Sequence, residues 1–464
     1  VPASIDPDLK GFAKPRLELY SDNEPYSRME EFRKIAKHYC NVDLMEWQLH
    51  CLSMLVASRN GKLAHQRSLI TVGRQNGKSV MLKVLAIWWL LYRAHSQGPQ
   101  QVLVVAHRYD MAVRLFRTIA WDLGSETYKK ASFGKGTERI EMHDGSELTV
   151  ASATDRTGHG LSLDLAIIDE LWSVKRSVVD DGISPATIAR PDPLVAAFST
   201  AGTEDSELMI DWRDEALGCI DSGDRDHNFY FAEWSPPPNM DDSQPEAWQW
   251  SNPAMGTTIT STRLAAEARK PDHFAFIRAH CNSFVTSLTG WLPHGTWELV
   301  QSPGLVVPPG GNVAVEETLD CSHFGAVRTI QVGHKYQVES AYFDDEISLF
   351  EQLAYWYQDG AKIHLPQGLA IRRPPDIRIG QLGELNYTFA NRVTGPVRQL
   401  VQTRHLEVSP SHQLTEQVLR ATPASTEHGM SLSQRKSSGP IPLARALVFS
   451  VGLCLQTKRT PKVA

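Results

Sequence analysis

The chain has 464 residues, 42% hydrophobic and 22% charged, with a formal net charge of −6 at pH 7. Its 31 Gly and 27 Pro are scattered, so collagen-like and low-complexity chains are excluded. The length predicts two or three domains, and the acidic balance gives no global argument for a phosphate-binding surface.

In chain order, a charged helix is expected over Ser27–Tyr39, and an amphipathic one carries Leu44, Trp47, Leu52 and Leu55. Ser68–Val72 reads as a short buried strand running into Gly73-Arg74-Gln75-Asn76-Gly77-Lys78-Ser79, and Val80–Leu91 is helix-forming. Gln101–Ala106 is a second strand and Met111–Leu123 a helix. Ile140–Ala151 forms a hairpin around Asp144-Gly145. Leu165–Ile168 is a strand ending in Asp169-Glu170, and Leu194–Ser199 one ending in Thr200-Ala201-Gly202. Strands alternating with helices predict a mostly parallel α/β sheet. The Pro run at 236–238 and the Trp248–Pro253 stretch suggest a connecting subdomain over 211–305, between an N-terminal domain, 1–210, and a C-terminal one, 306–464. Three consecutive strands are expected over Asn312–Thr318, Ala326–Val332 and Tyr336–Phe343.

The six cysteines, at 40, 51, 219, 281, 321 and 454, form no C-x-x-C pair, so reduced thiols are expected rather than a zinc ribbon or disulfide scaffold. No apolar run reaches the ~18 residues of a membrane span. No charged-then-apolar leader is present, and the start at Val1-Pro2 points to processing.

A strand, a Gly-containing turn, Gly-Lys-Ser and a helix make the layout that cradles nucleotide phosphates on backbone N–H groups and a helix N-terminus. Lys78 would contact the β/γ-phosphates of ATP and Ser79 would hold Mg²⁺. In the strict pattern G-x-x-x-x-G-K-[ST] the first Gly falls on Val72, and here Gly73 follows it. An apolar strand ending in two carboxylates fits as its partner, Asp169 orienting Mg²⁺ and Glu170 polarising water as general base. Gln48, beside Trp47, is a candidate reader of the adenine edge. Arg74 is placed to touch a phosphate. Arg156, in Asp155-Arg156-Thr157-Gly158-His159-Gly160, is a candidate arginine finger toward a neighbouring subunit.

These segments resemble the tailed-phage terminase large subunits. The loop Gly73–Ser79 is similar to that family's variant P-loop, with its early Arg. Thr157–Leu165 leading into Ile168-Asp169-Glu170 resembles the family's run into its acidic strand, and Phe198–Gly202 its coupling motif. Trp250–Gly256, Asn282–Phe284 and Trp291–Trp297 resemble its middle region. The resemblance implies a P-loop (RecA/ASCE-like) ATPase domain followed by a ribonuclease-H-like α/β domain. It further implies packaging of double-stranded DNA through a portal protein, with a small terminase subunit. The chain would work as a homo-oligomeric ring, a pentamer, in the host cytoplasm.

Val313-Ala314-Val315-Glu316 followed by Asp320 resembles the family's first nuclease strand. Such nucleases need carboxylates converging on two Mg²⁺ or Mn²⁺ ions ~3.5–4 Å apart. If the strand persists, Glu316 and Asp320 face one side and share a metal. Asp376 is a candidate further ligand, with Asp344 and Glu427 behind it. Before the final Ile-x-Pro-Leu helix the family carries an acid, and here Pro440 stands in its place. Two readings follow: a complete ATPase and endonuclease, or a packaging ATPase whose impaired C-terminal domain docks DNA or portal. A helicase-type ATPase is a third, without the full set of helicase motifs after Gly202. Charge also divides the last domain: 306–371 holds nine acids and three bases, whereas 372–464 holds five acids and thirteen bases, a stretch suited to DNA.

Overall fold

A computed structural model describes residues 6, 8–21, 28–203, 205–225, 227–237, 240–270, 273–284, 291–293, 295–375, 377–380, 382–426 and 429–456. The chain forms two compact units, Val1–Val285 and Thr286–Ala464.

The first unit is built on a nine-stranded sheet. Its strands are β1 (Leu17–Leu19), β2 (Arg67–Thr71), β3 (Gln101–Ala106), β4 (Tyr128–Ser132), β5 (Arg139–Met142), β6 (Glu147–Ser152), β7 (Leu165–Asp169), β8 (Leu194–Ser199) and β9 (Phe229–Glu233). They lie in the order β1-β9-β2-β8-β7-β3-β6-β5-β4. The run from β9 to β6 is parallel, while β1, β5 and β4 add antiparallel pairs. β3, β7 and β8 are near-continuous apolar runs because both of their faces are covered. Ile70, Val104, Ile167 and Phe198 point into one core, with Met81, Leu82 and Leu85 of the helix after β2. Leu69, Val105, Ile168 and Ala197 point into the other, with Leu208, Met209 and Trp212. Each such buried Val, Leu or Ile side chain contributes about 1.5–3 kcal/mol.

Eight helices of this unit are used below: α1 (Met29–His38), α2 (Glu46–Leu55), α3 (Lys78–Trp88), α4 (Tyr109–Leu123), α5 (Glu207–Ser222), α6 (Pro245–Ser251), α7 (Ser261–Ala268) and α8 (His273–His280). The segment 211–285, expected to connect two domains, belongs to this unit. Its strand β9 inserts between β1 and β2, so the connecting-subdomain expectation gives way to a strand of the main sheet. The reason is packing: Phe229 and Phe231 fill one core, and Tyr230 and Ala232 the other.

The second unit carries a six-stranded sheet of β10 (Asn312–Glu317), β11 (Phe324–Val332), β12 (Lys335–Phe343), β13 (Lys362–Leu365), β14 (Gly383–Glu384) and β15 (Leu406–Val408). Its order is β14-β13-β10-β11-β12-β15. β10, β11 and β12 form an antiparallel meander, and β13 runs parallel to β10 on its other side. This is a ribonuclease-H-like arrangement. Helices α9 (Glu346–Gln358), α10 (Tyr387–Gln402), α11 (His412–Arg420) and α12 (Pro442–Gln456) flank it. α12 sits directly on β11: a Cβ at Gly325 would lie 2.6 Å from the Leu443 backbone N, so only glycine permits the approach.

The six cysteines form no disulfide with one another. Among the described residues no helix is long and apolar enough to cross a membrane.

Candidate functional site

In the first unit the sequence motifs meet at the carboxyl ends of β2, β7 and β8, the place where open α/β sheets bind ligands. The chain leaves β2 at Thr71, turns through Gln75 and Gly77 at positive φ (65° and 98°), and enters α3 at Lys78. Left-handed backbone at Gly77 costs no side-chain clash, and it aims the first N–H groups of α3 at the loop's interior. A Cβ at Gly77 would also lie 2.7 Å from Gln48 Nε2.

Gln48 is buried and held at both ends of its amide. Nε2 donates to Gly77 O (3.1 Å), and Oε1 accepts from Met45 N (2.9 Å). The structure thus places it against the phosphate loop itself. Asn76, expected among the nucleotide-binding residues of the loop, is the loop's anchor. Its Nδ2 donates to Gly73 O and to Asn252 Oδ1, each at 3.0 Å, and its Oδ1 accepts from Ala254 N (3.0 Å). Gly73 N donates to Ser251 O (3.1 Å) and Arg74 N to Ala279 O (2.7 Å). Arg74, Gln75 and Ser79 are exposed at the mouth.

Lys78 is buried, and its Nζ donates to Val72 O (3.2 Å) and lies 4.0 Å from Glu170 Oε1. Burial lowers its pKa, while Glu170 and Asp169 pull it back up. Asp169, at the end of β7, is pushed up to about 6, first by burial and then by the Glu170 charge, against the pull of Lys78. A buried carboxylate in this state is stabilised by added positive charge. An Asp carboxylate and the exposed Ser79 hydroxyl are oxygen donors of the kind Mg²⁺ takes.

Glu170 adopts a left-handed backbone (φ 58°). Its Oε2 accepts from Trp172 Nε1 (2.7 Å) and from Thr200 Oγ1 (3.3 Å). Asn282, also at positive φ (50°), ties three strand exits together. Its Oδ1 accepts from Ala201 N (2.6 Å), and its Nδ2 donates to Thr71 Oγ1 (3.2 Å) and Trp234 O (2.8 Å). Arg156 is exposed in the turn 154–160. That turn packs on Gly182, where a Cβ would lie 2.1 Å from Thr157 O.

The second unit corrects one expectation. β10 ends at Glu317, and the chain turns through Thr318–Cys321. Glu316 and Asp320 therefore do not share a strand face. Asp320 is exposed and accepts from Thr318 Oγ1 (2.6 Å) and Ser322 Oγ (2.8 Å). Burial tends to raise its pKa, but these two hydroxyls bring it below its ordinary value. Glu316 is buried, with Arg445 of α12 at 3.2 Å. Burial and Glu317 raise it to about 7, against the pull of Arg445. Glu317 and Glu346 are both paired with Arg372, and Asp344 lies 3.6 Å from His323. Asp376 and Glu427 lie outside the described residues. Among the described residues no group of three or more His, Cys, Asp or Glu is placed to hold a metal. The sequence signal for Arg445 was a lone charge inside the apolar run Ile441–Val451.

Comparison with known proteins bears on the first unit. Residues 46–216 match the family described as terminase large subunit, ATPase domain. The chain is 26% identical over 248 residues to the terminase large subunit of Enterobacteria phage HK97, covering 50% of this chain and 47% of that one. It therefore spans about half the length of that relative. The crystal structure of the HK97 bacteriophage large terminase aligns with a TM-score of 0.51 at 18% identity, over 92% of this chain and 99% of that one. The large terminase of the thermophilic bacteriophage D6E, in complex with ADP, aligns with a TM-score of 0.37 at 11% identity, over 88% and 98%. Through the phosphate loop and acidic strand that residues 46–216 build, the chain carries a segment that matches the ATPase domain of terminase large subunits.

Proposed function

We propose that this chain hydrolyses ATP to drive double-stranded viral DNA into a procapsid. The observation that carries the reading is the meeting of Lys78 and Glu170, 4.0 Å apart, where two parallel strands deliver a phosphate loop and a carboxylate to one crevice. The loop N–H groups and the α3 N-terminus bind phosphate oxygens, with Lys78 and Arg74 adding positive charge. Glu170 takes the proton of the attacking water, held for this by Trp172 and Thr200. Gln48 fixes the loop and reads the adenine edge with its remaining N–H. Ser79 and Asp169 would hold Mg²⁺, which would supply charge neutralisation at the phosphates. Arg156 reaches the site of a neighbouring subunit in a ring, a pentamer, on the portal protein. A small terminase subunit selects the DNA, and the work is done in the host cytoplasm. The test is DNA-stimulated ATP turnover. Lys78→Ala and Glu170→Gln should each abolish it, and undiminished turnover in both would sink the assignment.

For the second unit, one observation favours a docking role for DNA or portal over metal-dependent endonuclease cleavage. Arg445 already sits on Glu316, the acid a metal would need first. A guanidinium there pairs with Oε2 alone, leaving Oε1 buried without a hydrogen-bond partner, and repels a cation. The full chain, incubated with plasmid and Mn²⁺, should leave the DNA uncut. Cleavage that disappears in Glu316→Ala would restore the endonuclease reading, with Asp320 and Asp376 as its further ligands.

A further inference from the structure

Trp172 lies two residues after the carboxylate assigned as general base, and its surroundings are unusually constrained. Its backbone N donates to Ser199 Oγ (3.1 Å), and its carbonyl accepts from Ser206 Oγ (2.7 Å), so the main chain is tied to the exit of β8 on both sides. Its indole N–H donates to Glu170 Oε2 at 2.7 Å. The ring stacks with His107, centroids 6.4 Å apart at 24°. The Arg278 guanidinium lies over it at 5.1 Å from the centroid. A cation over an indole face is a favourable contact that fixes the ring plane, and thereby the direction of its N–H.

Arg278 belongs to the last turn of α8, and the two residues after it are tied to the phosphate loop, Ala279 directly and His280 through Asn252. Ala279 O accepts from Arg74 N (2.7 Å). His280 O accepts from Asn252 Nδ2 (2.7 Å), and Asn252 in turn holds Asn76. These three consecutive residues therefore link the loop that would bind phosphate to the ring that holds the carboxylate.

We infer that Trp172 is a positioning residue for Glu170, and that Arg278 acts through Trp172 to bring the carboxylate into line when the phosphate loop is in place. The inference rests on the ATP-hydrolysis reading above. Neither residue needs to touch nucleotide. Their effect belongs in turnover rather than in ATP affinity.

The experiment measures kcat and KM for ATP, and affinity for a non-hydrolysable ATP analogue, in the full chain. Trp172→Phe keeps a ring for Arg278 but removes the donor. Its kcat should fall about tenfold, with analogue affinity within about twofold of the parent. Arg278→Ala should lower kcat by about threefold, and Arg278→Lys should recover most of it. In the Trp172→Phe background, Arg278→Ala should have little further effect, because its route to Glu170 is already cut. Parental kcat in Trp172→Phe overturns the proposal. So does an Arg278→Ala effect that is fully retained in that background. Should Trp172→Phe fail to fold, the Arg278 pair decides: parental kcat in Arg278→Ala overturns the proposal, and loss recovered by Lys supports it. Lys78→Ala is the control, since parental turnover there would mean the ATPase assignment itself has failed.

Discussion

Asn76 and Asn252 form a buried amide-to-amide hydrogen bond of 3.0 Å between positions 176 residues apart. Asn76 belongs to the phosphate loop and Asn252 to the end of α6. The bond fastens the loop to a segment well outside the strand and helix that flank it. Asn252 Nδ2 is spent on Trp248 O (2.9 Å) and His280 O (2.7 Å). One side chain therefore satisfies three buried groups.

Asn252→Ala removes three hydrogen bonds at once, although Asn76 Nδ2 keeps Gly73 O and Trp248 O keeps the backbone N–H of residue 252. Each lost bond is worth about 0.5–1.5 kcal/mol. Chemical denaturation should show a loss on the order of 3 kcal/mol, and affinity for an ATP analogue should fall, because the loop loses its anchor. Unchanged affinity in a folded Asn252→Ala protein would mean the loop keeps its shape without Asn252.

Gly73→Ala tests the same contact from the other side. A Cβ there would lie 2.9 Å from both Asn252 Oδ1 and Ser251 O, and the second is backbone that cannot swing away. Overpacking of this kind costs about 1–3 kcal/mol. Analogue binding measured by calorimetry should weaken by about tenfold or more for that energy, while circular dichroism at room temperature stays that of the parent.

Gly182→Ala addresses the turn that carries Arg156. The new methyl would meet Thr157 O at 2.1 Å and push the 154–160 segment from its seat. If Arg156 completes a neighbour's site, turnover in DNA-stimulated assays should drop in Gly182→Ala as it does in Arg156→Ala, with analogue affinity intact. Full activity in both variants would remove the turn from the mechanism.

Glu233 at the end of β9 gives a pH dependence of stability. Burial works to raise its pKa, but the buried Arg213 guanidinium, Arg16 and Ser235 more than offset that and bring it from 4.5 to about 2. A depressed carboxylate adds stability that is present above its unfolded pKa and lost as pH falls through its folded value. Glu233→Gln breaks the buried ion pair with Arg213 and should cost about 3 kcal/mol near neutrality. Urea denaturation of parent and variant should show that gap closing as pH drops below 4.5 toward 2. A gap that stays constant with pH would contradict the ion-pair account.

Strand limits were legible where burial on both faces forces an unbroken apolar run. Gln101–Ala106 and Leu194–Ser199 were read from sequence at the limits the structure gives. β9 was not, since Phe229–Glu233 is short and borders Trp234 and a Pro run, so it reads as part of a connector. Lys78, Asp169 and Glu170 were found because motif spacing encodes them. Asn252 and Asn282 act through long-range amide bonds that leave no local periodicity, so their role needed coordinates. The pairing of Glu316 with Asp320 extended a strand past Glu317, where Thr318 begins a turn that its own hydroxyl stabilises.

The place of β9 also bounds how the first unit can be cut. The family match stops at residue 216, before this strand. A chain ending there would uncover the β9-facing edge of β2, while its other edge stays paired with β8, on a strand apolar toward both faces. Such an open edge is a template for pairing with another molecule, so the shortened protein should self-associate. Extending it past Glu233 closes the edge, and only a piece reaching Phe284 also keeps Asn252, Ala279 and Asn282 against the nucleotide crevice.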